Sequence, residues 1–352
     1  MIEKIVVVTR RTRLEELVAR FNTRDQARFY IEHAGADFGS YQAEHDSYQH
    51  AVGRLMSQIA SLGRTHLIER SFLPNYLFSD KDLVVTVGQD GLVVNTAKYL
   101  DGQPIVAVNP DPDRIDGILL PFRVEHAPAA ILRVMEGKAV VRRIVMAQAQ
   151  LNDGQRMLAF NDLFIGVRTH TSARYVLSFA GRSEPQSSSG IIVSTGAGST
   201  GWLSSLFNMA AGVGRLLSGA ERYAEYGQYQ RGAKELVLSG AEGPVLSEAE
   251  GPVLSGAEGP VLSGAEGIRL DWEAEQLVFV VREPFVSKTS AAGLAAGVIT
   301  PGNELVLESR TPEGGVIFSD GVEADYLGFN AGAIARVGIA GRRTHLVVPA
   351  RS

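Results

Sequence analysis

The chain has 352 residues, 34 Lys and Arg against 39 Asp and Glu for a net charge of −5, and no cysteine. That length holds two ordinary domains or one large one with insertions, and the missing thiols exclude disulfides, thiolate zinc sites and a cysteine nucleophile. A mildly acidic balance speaks against nucleic acid as a partner, no stretch nears the roughly 18 apolar residues of a membrane span, and a cytoplasmic protein is expected.

The opening MIEKIVVVTRR has too short an apolar run for a signal peptide and reads as a first buried strand over Ile5–Thr9. Helical spacing follows over Leu14–Phe21, Arg24–Glu32 and Asp46–Leu62, where Val52, Leu55, Met56, Ile59 and Leu62 line one face. His66–Glu69 and Leu83–Val87 read as strands, Leu92–Leu100 as a helix and Pro104–Asn109 as another strand. These runs are continuously apolar, the mark of strands covered on both faces, so residues 1–125 are expected to form an open α/β domain with a parallel sheet.

Beyond residue 125 the pattern turns to short β segments punctuated by Gly and Pro: Val140–Gln148, Arg156–Arg168, Tyr175–Ala180, Gly190–Ser194, Leu277–Val281, Glu304–Ser309, Gly315–Ser319 and Ala333–Ile339. Asn152-Asp153-Gly154 marks a hairpin. Residues 126–352 are therefore expected to form a β-rich domain. Within it, residues 237–268 repeat an eight-residue unit four times, VLSGAEGP and its variants. Each unit has only Val and Leu to bury, too little to offset the entropy of ordering, so a flexible, functionally idle loop is expected.

Four segments carry candidate chemistry. In Gly88-Gln89-Asp90-Gly91, glycines at a strand end would let backbone amides approach a phosphate at the start of the following helix. Asp90 would repel that phosphate unless it takes a proton from an attacking hydroxyl or shares a divalent cation with the phosphate oxygens; the alternative is a common turn. Ser194-Thr195-Gly196-Ala197-Gly198-Ser199-Thr200-Gly201-Trp202 follows a short apolar strand with more hydroxyls than a turn needs, suiting phosphate or ribose oxygens. Asn161-Asp162 either makes a turn or presents donor and acceptor groups to a base or sugar. Asp320-Gly321 reads as a hairpin turn. The histidines offer no pair at helical ligand spacing, His45 and His50 being nearest, so no histidine metal site is expected.

In this order the segments resemble the ATP- or polyphosphate-dependent NAD kinases. That family reads Gly-Gly-Asp-Gly-Thr, Val-Asn, Asn-Glu, a strand leading into Ser-Thr-Pro-Thr-Gly-Ser-Thr-Ala-Tyr, and a late Asp-Gly. Here these correspond to Gly88–Leu92, Val108-Asn109, Asn161-Asp162, Ser189–Trp202 and Asp320-Gly321. The resemblance spans most of the chain outside the repeat. It implies an N-terminal α/β nucleotide-binding domain, a C-terminal β-rich domain with a cleft between them, and a homo-oligomer.

It further implies that Asp90 orients or deprotonates the ribose 2′-hydroxyl of NAD. Asn161 and Asp162 would hold base or ribose, and Gly88, Gln89, Gly91, Ser194, Thr195, Ser199, Thr200, Gly201 and Trp202 would line the nucleotide site. ATP or polyphosphate would be the donor, with Mg2+ bridging its phosphates.

The sequence departs from the family at Gln89 for glycine, Leu92 for threonine, Asp162 for glutamate, Ser189 for an acid, Gly196-Ala197 for Pro-Thr, and Lys288 where a histidine is frequent. Another alcohol acceptor, whether sugar, nucleoside or lipid, and a non-catalytic nucleotide-binding protein therefore stay open as alternatives.

Overall fold

The computed structural model describes residues 2–217, 237–239, 242–245, 261–263 and 267–350. They divide into two compact units, residues 1–143 with 344–352, and residues 144–343. The division falls later than the compositional change at residue 125 because the helix α5 introduced below buries Ala127, Ala130 and Ile131 in the core of the first unit. The last strand of the chain ends in that unit too.

The first unit runs β1 (Lys4–Thr9), α1 (Arg13–Phe21), α2 (Arg24–His33), α3 (Phe38–Ile59), β2 (Arg64–Glu69), β3 (Asp82–Val87), α4 (Asp90–Ala97), β4 (Pro104–Asn109), β5 (Phe122–Arg123) and α5 (Ala127–Met135). Caps set the helix starts. Thr12 and Glu15 form a reciprocal capping box at α1, and Asp37 accepts from the backbone N–H of Gly39 and Ser40 at α3. That cap starts α3 eight residues before the apolar spacing begins, so the helix is longer than periodicity suggested. β2, β1, β3 and β4 lie side by side and parallel in that order. Ile5, Val7, Leu83, Val85, Val106 and Val108 pack beneath Tyr48, Leu55 and Ile131 of α3 and α5. α4 packs against β3 and β4. The chain leaves β1 for β2 on one side and returns to β3 on the other, so the strand order reverses between β1 and β3. In open α/β sheets ligands settle at the carboxyl ends of the strands flanking such a switch.

The second unit is a sandwich. β6 (Val140–Leu151), β7 (Arg156–Ala159), β8 (Asp162–Val167), β9 (Ala173–Phe179), β10 (Arg182–Ser188) and β11 (Ile191–Ser194) precede α6 (Ser204–Leu217). Within the repeat, β12 (Val237–Ser239) pairs with β13 (Glu242–Val245), and β14 (Val261–Ser263) with β15 (Gly267–Arg269). The remainder of the expected loop at 237–268 lies outside the described residues. β16 (Leu277–Val281), β17 (Ala296–Ile299), β18 (Leu305–Ser309), β19 (Gly315–Ser319), β20 (Tyr326–Gly328) and β21 (Ile334–Val348) complete the chain.

One sheet has the order β17-β16-β11-β8-β19-β20, and the other brings β10, β9, β18 and the first part of β21 together with β6 and β7. Alternate residues of both, among them Leu163, Ile165, Val193, Phe279 and Ile317 from one and Tyr175, Leu177, Leu307 and Val337 from the other, form a single core. The stretch expected as one strand over Arg156–Arg168 is broken at Phe160-Asn161. β10 carries too little apolar alternation, RSEPQSS, to have been legible.

Candidate functional site

In the first unit the switch-point loops follow β1 and β3. β3 is fully buried and ends at Val87; Gly88 and Gln89 lead into α4, whose first residue is Asp90. Gln89 and Gly91 are exposed and Asp90 is half-buried. The Asp90 carboxylate accepts from the backbone N–H of Leu119 at 2.8 Å and of Ile118 at 3.3 Å, one on each oxygen. These bonds fix the acid's direction, and each oxygen keeps a further lone pair.

Asn109, the end of β4, folds the preceding part of the same loop: its Nδ2 donates to the Ile115 carbonyl and its Oδ1 accepts from the Asp111 N–H. Leu92, in place of the family's threonine, is buried, and its Cδ2 lies 2.9 Å from where a Cβ on Gly88 would sit.

Sequence reasoning passed over the residue beside this loop. Arg10 follows β1, and its Cδ lies 3.6 Å from the same Cβ position on Gly88. Tyr48 from α3 joins the two strand ends: its hydroxyl accepts from the Arg10 N–H and donates to the Val87 carbonyl, both at 2.9 Å. Burial pushes that phenol up to about 12. The available signal was positional, a basic pair directly after the first buried strand.

In the second unit three of the segments meet. Asp320, at φ 55° after β19, turns its carboxylate onto the break between β7 and β8. Oδ1 accepts from the N–H of Asn161 at 2.7 Å and Asp162 at 3.2 Å, and Oδ2 from Phe160 at 3.2 Å. Asp320-Gly321 is thus a turn, as expected, that also clamps the Asn-Asp segment. On the other side Thr195 donates its N–H to the Asn161 carbonyl and its hydroxyl to the Phe160 carbonyl. Register explains the meeting, since Ser194 pairs with Asp162 between β11 and β8, and Ser319 with Leu163 between β19 and β8.

The hydroxyl-rich loop is largely self-directed. Ser194, Thr195 and Ser199 are buried. Thr195 Oγ1 also accepts from the Gly198 N–H, and Ser199 donates to the Gly196 carbonyl and accepts from the Leu270 N–H. Thr200 and Gly201 are exposed. Close packing accounts for the glycines. A Cβ on Gly196 would stand 2.1 Å from the Asp271 carbonyl oxygen, and one on Gly198 2.4 Å from that of Asn161. A proline at 196, as in the family pattern, has no room here. Trp202 lies parallel to Phe164 at 5.8 Å and belongs with Ile192, Val316 and Phe318 to a small apolar cluster, with the Arg282 guanidinium 5.6 Å from its ring. Lys288 is exposed on a loop.

Asp162 is the electrostatically unusual group. Burial, then the charge of Asp320, raises its pKa to about 7 against a hydrogen bond from Ser194 that opposes the shift, and its buried Oδ1 has no hydrogen-bond partner. The preceding residue, Asn161, is half-buried. No group of three or more His, Asp or Glu side chains suited to a metal occurs among the described residues. The single carboxylate of the 88–91 loop fits magnesium arriving on phosphate oxygens rather than a protein cage. No described helix is long and apolar enough to cross a membrane.

No family model and no curated protein sequence matches the chain. Solved structures do. Yeast NADH kinase complexed with NADH superimposes with a TM-score of 0.54 at 12% identity, over 99% of this chain and 84% of that one. An NAD kinase from Archaeoglobus fulgidus in complex with ATP superimposes with a TM-score of 0.53 at 15% identity, over 97% and 92%. The chain has an NAD kinase-like fold, an α/β N-terminal part followed by a β-rich part.

Proposed function

We propose that the protein is a phosphotransferase that moves a terminal phosphoryl group from ATP or polyphosphate to the 2′-hydroxyl of NAD, giving NADP. The observation that carries this reading is the half-buried carboxylate of Asp90, held by two backbone N–H groups at the N-terminus of α4 and at the reversal of strand order. Anions are drawn to a helix N-terminus by its free N–H groups and dipole, so a donor phosphate and a proton-accepting acid are brought to one place.

Asp90 takes the proton of the attacking hydroxyl. The oxygen bonds the terminal phosphorus, the bridging P–O bond breaks, and its electron pair leaves with the rest of the donor. Magnesium on the donor phosphates, with Asp90 the acid able to hold it, would supply charge neutralisation. Asn161 and Asp162 contact the base or ribose of the nucleotide, with Thr200, Gly201 and Trp202 as further contacts. A cytoplasmic homo-oligomer goes with this reading.

A second reading, a nucleotide-binding protein without turnover, is favoured by buried Leu92 and by the internal bonding of Ser194, Thr195 and Ser199. Purified protein incubated with magnesium, NAD and each donor in turn, with products identified by mass, separates the two. Asp90→Asn should lower turnover by roughly 10²–10⁴-fold, the usual general-base contribution. Full activity in that variant refutes the assigned role. Binding of NAD with no phosphorylated product from either donor favours the second reading.

A further inference from the structure

A cavity of about 290 Å³ opens in the first unit between α5 and the end of β21. Its volume is close to the lower bound of the roughly 300–1,000 Å³ of small-molecule sites, so its occupant is a single ring or a short chain. None of Gly88, Gln89, Asp90 and Gly91 lines it, and neither does any residue of the Asn161 and Asp320 cluster.

The helix period builds one wall. His126, Ala129, Ala130 and Arg133 recur at three- and four-residue spacing, so they share one face of α5 and of the turn leading into it. The two alanines leave room at the middle of that face, and a basic side chain stands at each end. The opposite wall is apolar, with Phe122, Val347 and Val348. No Asp or Glu lines the cavity. The acids nearest in sequence are engaged elsewhere, Glu125 by Arg54 and Glu136 by Lys138, both at 2.9 Å, which leaves Arg133 and His126 without an ion pair among the described residues.

An apolar interior with an unpaired cation at its edge selects an amphipathic anion. Hydrocarbon laid against Phe122, Val347 and Val348 is removed from water. A carboxylate at the mouth meets the Arg133 guanidinium through two parallel N–H donors. Phosphate is served less well, because it needs several donors and the first turn of α5 contains Pro128, which has no N–H. We propose that this cavity is a binding site for a small apolar monocarboxylate, held by Arg133 with His126 as a further donor. The site is independent of the phosphotransferase reading.

Titration calorimetry of the full chain with octanoate and with octanamide, its uncharged counterpart, tests this. Octanoate should bind saturably at one site and at least about tenfold more tightly than octanamide, the scale of hydrogen bonds to a charged partner. Arg133 and Ala129 are exposed, and replacing them leaves the core intact. Arg133→Gln should bring octanoate down to the affinity of octanamide. Ala129→Trp, which fills the space between helix and strand, should abolish binding of both, with thermal unfolding unchanged in each variant. No saturable binding, equal affinity for the two ligands, or indifference to Arg133→Gln overturns the proposal. Octanoate binding that survives Ala129→Trp places the ligand elsewhere on the molecule and overturns it as well. None of these outcomes involves NADP formation, so failure of the phosphotransferase reading and failure of this site are told apart.

Discussion

Replacing Asp162 by Asn isolates one charge at a site that three segments build. In the folded chain this acid holds its proton up to about 7 instead of its ordinary 3.8, first because burial disfavours the carboxylate and next because Asp320 repels it. A folded-state affinity for protons above that of the unfolded chain means stability is fullest below the lower value. It falls as pH rises through the interval and is level above the upper one. At about 1.4 kcal/mol for each tenfold change in proton affinity, the full loss has an upper limit of about 4 kcal/mol. The partial exposure of the residue reduces that to about 2–4 kcal/mol.

Asn is close in shape to the protonated acid and does not titrate. Asp162→Asn should therefore match the wild type near pH 4 and gain on it as pH rises, by about 2 kcal/mol between pH 5 and pH 8.5. Urea midpoints of both proteins at those two pH values, followed by near-ultraviolet circular dichroism, measure the difference, in which titrating groups that do not interact with Asp162 cancel. A gain at pH 8.5 no larger than at pH 5 refutes the assignment of a raised pKa to this residue.

Asp320→Ala strands three backbone N–H groups at Phe160, Asn161 and Asp162. It should cost about 3–5 kcal/mol in a denaturant titration and weaken nucleotide binding, whereas loss of an exposed turn residue would cost under about 0.5 kcal/mol. Gly198→Ala drives a methyl group to 2.4 Å from the Asn161 carbonyl oxygen; a loss of about 1–3 kcal/mol in thermal unfolding is expected, and Gly328→Ala, exposed in β20 with open space at its Cβ, serves as the neutral control. Trp202→Ala removes the face-to-face contact with Phe164, so about 2–4 kcal/mol of stability should go with it. If stability is untouched and only nucleotide affinity falls, Trp202 is a ligand surface and not a packing wedge.

The first unit was largely readable from residue order. Continuous apolar runs such as IVVV in β1 and PIVAVN in β4 announce strands covered on both faces, and the short motif around Asp90 falls at a strand end where backbone N–H groups are free. The long-range parts were not readable. β10 is a polar edge strand joined to β9 through Ala180 and Gly181, both at positive φ, and an alanine there gives no turn signal. The hydroxyls of Ser194, Thr195 and Ser199 looked outward on paper because sequence carries no record of which carbonyl or N–H stands opposite each one.

Chain order by itself determined the class of fold, the positions of most strands, and the placement of an acid between glycines at the start of a helix, because periodicity and turn chemistry act over a few residues. Tertiary structure alone decided that Asp320 clamps residues 160–162, that Asp162 holds its proton near neutrality, and that Arg10 stands beside Gly88. Each of these depends on groups far apart in sequence, and burial, register and Coulomb repulsion come into being only when folding brings such groups within a few ångströms of each other.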